Sequence, residues 1–133
     1  MRTQPTLMLI HGPWHDGSAW VQVQTQLAAA GVRSHVPTLP GPVPELYAPM
    51  FDTLALPNFD RLDIPTVYIH CTPDHTLPAG TFHPGQSSQL KTPTISEVDA
   101  DHEALFTAPN RLASALLEAI DSIRAREQSN VAV

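Results

Sequence analysis

The apolar positions of the chain fall into a few runs separated by polar and proline-rich breaks. Leu7-Met8-Leu9-Ile10 is a continuous apolar run that stops at His11-Gly12. Such a run predicts a buried strand, over about 6–11, that delivers a tight loop to the edge of a sheet. Trp20, Val23, Leu27 and Ala30 then recur at helical spacing with glutamines on the other face, and Gly31 follows as a stop. The period predicts an amphipathic helix over about 18–30, with Asp16 or Ser18 as its N-cap. Arg33 to Pro37 reads as a second short strand, ended by Thr38-Leu39-Pro40-Gly41. A strand-helix-strand unit of this length implies parallel strands.

From residue 42 to 65 the pattern changes in kind. Pro42, Pro44, Pro49, Pro57 and Pro65 forbid a long helix or a central strand. An ordered connector crossing the sheet is expected there, with at most a helical turn between Glu45 and Met50. Thr66-Val67-Tyr68-Ile69-His70-Cys71 is β-branched and aromatic-rich and predicts a buried third strand. Thr72-Pro73-Asp74-His75 is its C-terminal loop, and a short helix is expected from Pro84 to Leu90. Thr94-Ile95-Ser96-Glu97-Val98 is the fourth strand, followed by the loop Asp99-Ala100-Asp101-His102. The last helix opens with Pro109 in its first turn and carries Leu112, Ala115, Leu116, Ala119, Ile120 and Ile123 at spacings of three and four, a face made to pack on a sheet. From Gln128 the chain is polar and small, so residues 1–127 are expected to form one domain and 128–133 a frayed, flexible tail.

These elements predict an α/β fold: a small three-layer parallel sheet of about four strands in the order 2-1-3-4, with helices on both faces. In that order the chain reverses direction between the first and third strands, and ligands bind at such switch points, outside the strand C-termini. The loops arriving there carry Trp14, His15 and Asp16 from one side and Asp74, His75 and His102 from the other.

Composition narrows the partners. At 133 residues one apolar core suffices without staples. The 13 acidic residues against 7 basic ones, a net charge of −6, argue against nucleic acid and acidic membrane surfaces, both of which need Lys/Arg. Cys71 is the one cysteine, so no intramolecular disulfide forms and a cytoplasmic setting is the expectation. The run from Leu7 to Ile10 is too short for a signal-peptide core or a membrane span.

The block from Thr6 to Gly41, with its HGPWH loop and a second strand that leads to Pro40-Gly41, resembles the start of α/β-hydrolase proteins of the methylesterase and hydroxynitrile lyase kind. The stretch from Ile64 to Ile120, with CTPDHTLP and DADHEALF, resembles the end of the same proteins. The resemblance implies that Asp74 occupies the place of the triad acid and His102 that of the triad histidine. Asp74 would then orient the imidazole and His102 would move protons. Between these blocks the family places a nucleophile elbow, its helix, another strand and a lid, whereas no Gly-x-Ser-x-Gly pattern occurs in this chain. Where the family takes an oxyanion donor from the residue after His-Gly, this chain has Pro13, which has no N–H. Losing a catalytic serine costs about 10⁶ in rate and one oxyanion donor about 10²–10³, which excludes ordinary Ser-dependent ester hydrolysis.

The expected function is therefore a cofactor-independent acid-base enzyme of lyase, dehydratase, isomerase or cyclase type, acting on a small carbonyl-bearing or aromatic substrate through a His102–Asp74 dyad. Trp14, His15, Asp16, His11 and His75 are the substrate-binding candidates. Alternatives are a ligand-binding pseudoenzyme and an esterase completed by a second chain. A homodimer is expected, because removing two central strands and a lid uncovers apolar surface, and the connector 42–65 is its expected contact. Histidines 70, 75 and 83 match no metal-binding spacing, and no metal or cofactor is expected. Ser18 reads as a helix cap, Ser87 and Ser88 as a helix surface, Cys71 as a small buried hydrophobe, and His11 as satisfying backbone carbonyls at a strand end.

Overall fold

Asp16 starts the first helix and Gly31 ends it. In the computed structural model, which describes residues 5–12, 15–38, 58, 63–72 and 76–131, the Asp16 carboxylate accepts the Ser18 N–H at 2.7 Å and also the Ser18 hydroxyl. A 3₁₀ turn, Gly17–Trp20, leads from this cap into α1 (Val21–Ala29). Of the two predicted caps Asp16 does the capping, and Ser18 donates to it. At the other end Gly31 has a φ of +80°. Its N–H reaches Ala28 O and that of Val32 reaches Leu27 O, each at 2.9 Å, so the last carbonyls of the helix are satisfied by a Schellman pair.

The chain divides into two compact units, Met1–Ala55 and Leu56–Val133. In the first, β1 (Thr6–Met8) pairs in parallel with β2 (Arg33–His35), Thr6 opposite Arg33 and Met8 opposite His35. Leu9, Ala19, Val23, Leu27 and Val32 are buried, Val23 and Leu27 completely. The strand predicted over 6–11 is shorter and buries one face only: Leu9 is 6% exposed, but Met8 is 69% and Ile10 46%.

In the second unit, β3 (Val67–Thr72) pairs in parallel with β4 (Thr94–Asp99), from Val67 opposite Thr94 to Thr72 opposite Asp99. The short α2 (Ala104–Thr107) and the long α3 (Pro109–Val131) follow. Leu112, Ala113 and Ala115 form the buried face of α3, and Val98, Ala100 and Ala104 are buried as well. β3 is half-buried along its whole length rather than buried, Cys71 included. α3 continues through Gln128, where the sequence predicts the tail to begin, to Val131, and Ser129 Oγ donates back to Ala125 O at 3.0 Å. In place of the helix predicted from Pro84 to Leu90 there is a tight turn, Thr81–Gln86, and a 3₁₀ turn, Ser87–Gln89. Pro84 and Gly85 lie inside this stretch, and both oppose regular helix.

Of the predicted sheet of order 2-1-3-4, the structure shows two two-stranded parallel sheets, β1 with β2 in the first unit and β3 with β4 in the second. These are the two outer pairings expected. The connector 42–65 lies outside the described residues apart from Asn58 and the stretch from Asp63 to Pro65. Among the described residues no helix is long and apolar enough to cross a membrane.

Gly17 is buried, and a Cβ there would strike Val36 O, whereas one at Gly12 would meet nothing within 4 Å. Gly17→Ala should therefore cost about 1–3 kcal/mol in urea denaturation, as overpacking does. Gly12→Ala should stay within about 0.5 kcal/mol of wild type.

Candidate active site

The loop after β4 is held from both sides. Ala100 is buried and its N–H reaches Thr72 O at 3.0 Å, which continues the ladder past the end of β4. Arg111 Nη1 donates to Asp99 O at 2.6 Å and to its carboxylate at 3.0 Å. Both side chains are exposed, so this pair sets geometry more than stability. Asp101 Oδ1 accepts the Glu103 N–H at 2.9 Å and the Thr107 hydroxyl at 2.7 Å, closing the first turn of α2. His102, between these braced residues, is exposed, and its ring stacks on Phe82 with centroids 5.5 Å apart and planes 22° from parallel.

Phe82 comes from the turn Thr81–Gln86, and its carbonyl accepts the Tyr68 hydroxyl at 3.1 Å. Burial, with Cys71 as the lesser cause, pushes the Tyr68 phenol above its ordinary value, so it remains a neutral donor near neutral pH. The same turn presents His83, whose Nδ1 lies 2.6 Å from Ser87 Oγ. His70 of β3 stands 5.5 Å from His83 between ring centroids, and Tyr68 6.5 Å. The sequence reading missed the His83–Ser87 pair because a spacing of four on an irregular turn carries no periodic signal. Ser87 lies in Gly85-Gln86-Ser87-Ser88-Gln89, which has the first glycine and the serine of an elbow but not the last glycine, and it follows a turn, not a strand. At 2% exposure Ser87 is closed to a substrate. It orients His83.

The first unit brings His11, His15 and Asp16 together. His11 Nδ1–H donates to Gly12 O at 2.7 Å, as expected of a histidine at a strand end, and the His15 N–H reaches the same carbonyl at 3.2 Å. The Ser18 hydroxyl and then the Ser18 N–H hold the Asp16 carboxyl below its ordinary value; desolvation opposes them and nearby His11 and His15 help. Pro13, Trp14, Asp74 and His75 lie outside the described residues, and so does the pairing of Asp74 with His102. Among the described residues no three His, Cys, Asp or Glu side chains converge as metal ligands. A cleft of about 340 Å³ between β4 and α3, lined by Glu97, Asp99 and Arg111 among others, contains none of the histidines.

The sequence matches no protein-family model and no curated protein. Among solved structures, the chain is similar to an extracellular α/β-hydrolase from a Paenibacillus species, described as sharing structural and functional homology with tobacco salicylic acid binding protein 2. The TM-score is 0.73 at 16% identity, over 86% of this chain and 98% of that one. The fold is that of an α/β-hydrolase. In an α/β-hydrolase fold, as in other open α/β sheets, ligands meet the loops that follow the strand C-termini. His11, His15 and Asp16 follow β1, and His102 follows β4.

Because folding lowers the Asp16 carboxyl from 3.8, its ionised form stabilises the fold above that value and the contribution is lost as pH falls through the lower folded value. The stability advantage of wild type over Asp16→Ala in urea titrations should be full at neutral pH and shrink below about pH 4.

Proposed function

We propose that this chain is a reduced α/β-hydrolase core of the methylesterase and hydroxynitrile lyase kind that works as a cofactor-independent acid-base enzyme. His102, oriented by Asp74, removes or delivers a proton on a small carbonyl-bearing or aromatic substrate. The observation that carries this reading is an exposed imidazole in a loop braced at Asp99 and Asp101, with the flat face of Phe82 against it. A fixed aromatic wall beside a proton-transferring group suits a flat substrate. General acid-base catalysis supplies about 10²–10⁴ in rate, enough for an activated C–H or a ring closure. Lyase, dehydratase, isomerase and cyclase steps all belong to that range.

On a panel of aryl ketones and aromatic cyanohydrins, His102→Ala should abolish turnover and Asp74→Asn should lower it. The double variant should be scarcely worse than His102→Ala alone, since residues that act as one unit are strongly non-additive. Full activity in His102→Ala would overturn the reading. Binding without turnover would leave the chain a ligand-binding pseudoenzyme. With no elbow serine, and with Pro13 where an oxyanion donor belongs, fluorophosphonates should label no serine, Ser87 included, as judged by intact-protein mass spectrometry.

A second reading, a homodimer, rests on apolar surface that the first unit leaves exposed. The exposed face of Met8 and Ile10 is apolar surface that a second copy would cover. Light scattering at micromolar concentration should then report a homodimer.

A further inference from the structure

The turn Thr81–Gln86 holds one imidazole more firmly than a surface loop requires. His83 Nδ1 is 2.6 Å from Ser87 Oγ, and Ser87 is 2% exposed, so the hydroxyl that orients the ring is a buried one. The backbone around it is fixed as well. Tyr68 bonds the Phe82 carbonyl at 3.1 Å, the Gly85 N–H reaches Gly80 O at 2.8 Å, and the Ser88 hydroxyl donates to Gly85 O at 2.9 Å. A Cβ on Gly85 would stand 2.7 Å from Gly80 O, so the turn closes only with glycine there. Held in this way, the His83 ring lies 5.5 Å from that of His70, with the planes 49° apart. Both residues are half-buried and open to solvent. His70 sits two residues from Tyr68, which places both on the face of β3 that meets the turn.

We propose that His70 and His83 are the two protein ligands of a site for a borderline divalent transition ion of the zinc class, with water completing the coordination. Imidazole suits such ions. With metal–nitrogen bonds of about 2.0–2.1 Å and a near-tetrahedral angle, the centroids of two imidazoles on one ion stand roughly 5–5.5 Å apart, and the observed 5.5 Å needs little rearrangement. When Nδ1–H of His83 donates to Ser87 Oγ, the lone pair is on Nε2, and an outer-shell partner of this kind fixes both the tautomer and the direction of a metal-bound histidine. The net charge of −6 favours a cation over an anion. Sequence spacing argued against a metal because the two histidines are brought together by a turn folding back on a strand, and no linear motif records that. The site is independent of the acid-base role of His102.

The test is a titration of the full chain with zinc ion in a non-chelating buffer, by calorimetry and by proton–nitrogen correlation spectra of the assigned imidazoles. One equivalent should bind, with shifts at the Nε2 atoms of His70 and His83. His70→Gln and His83→Gln should each weaken binding by at least about tenfold, and Ser87→Ala by roughly tenfold. His102→Gln should leave it unchanged. The absence of binding, shifts confined to His11, His15, His35 or His102, or unchanged affinity in both single variants would overturn the proposal. Should a variant fail to fold, the wild-type spectra decide, since they identify the nitrogens that the ion perturbs.

Discussion

The parallel register of β3 on β4 is the constraint on which the rest of the second unit depends. Thr72 opposite Asp99 brings the two strands to an end at the same level. The Ala100 N–H to Thr72 O bond carries that alignment one residue beyond β4. A shift of one residue would turn each side chain of a strand to the other face. Tyr68 could then no longer reach the Phe82 carbonyl, and neither the stack of Phe82 on His102 nor the approach of His83 to His70 would survive.

The loop after β4 and the turn Thr81–Gln86 are then fixed by short-range polar contacts. Asp101 closes α2, Arg111 ties Asp99 to α3, and Ser87 holds His83. The exposed ion pairs contribute little to stability, but they limit where His102 and its neighbours stand. A proton-transfer group gains from such restriction because its rate depends on a heavy-atom approach of about 2.6–3.2 Å. The buried hydroxyl of Ser87 serves the same end for His83: it offsets the cost of its own burial with a hydrogen bond and in doing so sets a ring direction.

Local signals in the sequence were legible where one mechanism acted alone. The helix stop at Gly31 follows from its positive φ, the cap at Asp16 from a short acceptor side chain, and the start of α3 at Pro109 from a missing N–H that no helix needs there. The two outer strand pairings followed from the parallel strand-helix-strand logic. The exposure along the first strand was not recoverable, because an apolar run such as Leu7 to Ile10 does not tell which faces are covered, and here Met8 and Ile10 are exposed. That His102 stands in a loop after a strand could be read from the β-branched run Thr94 to Val98 before it. Phe82 beside it could not, since it comes from an irregular turn that contains a proline and a glycine. His83 with Ser87 escaped for the same reason.

The central claim is that His102 moves a proton to or from carbon. It is tested most directly by following the exchange of an acidic C–H of a small aryl ketone for deuterium in heavy water, by magnetic resonance across the pH range in which histidines titrate. The account predicts an exchange rate with a single limb set by one histidine, kept in His83→Ala and lost in His102→Ala. A wild-type rate equal to that of His102→Ala at every pH would contradict it.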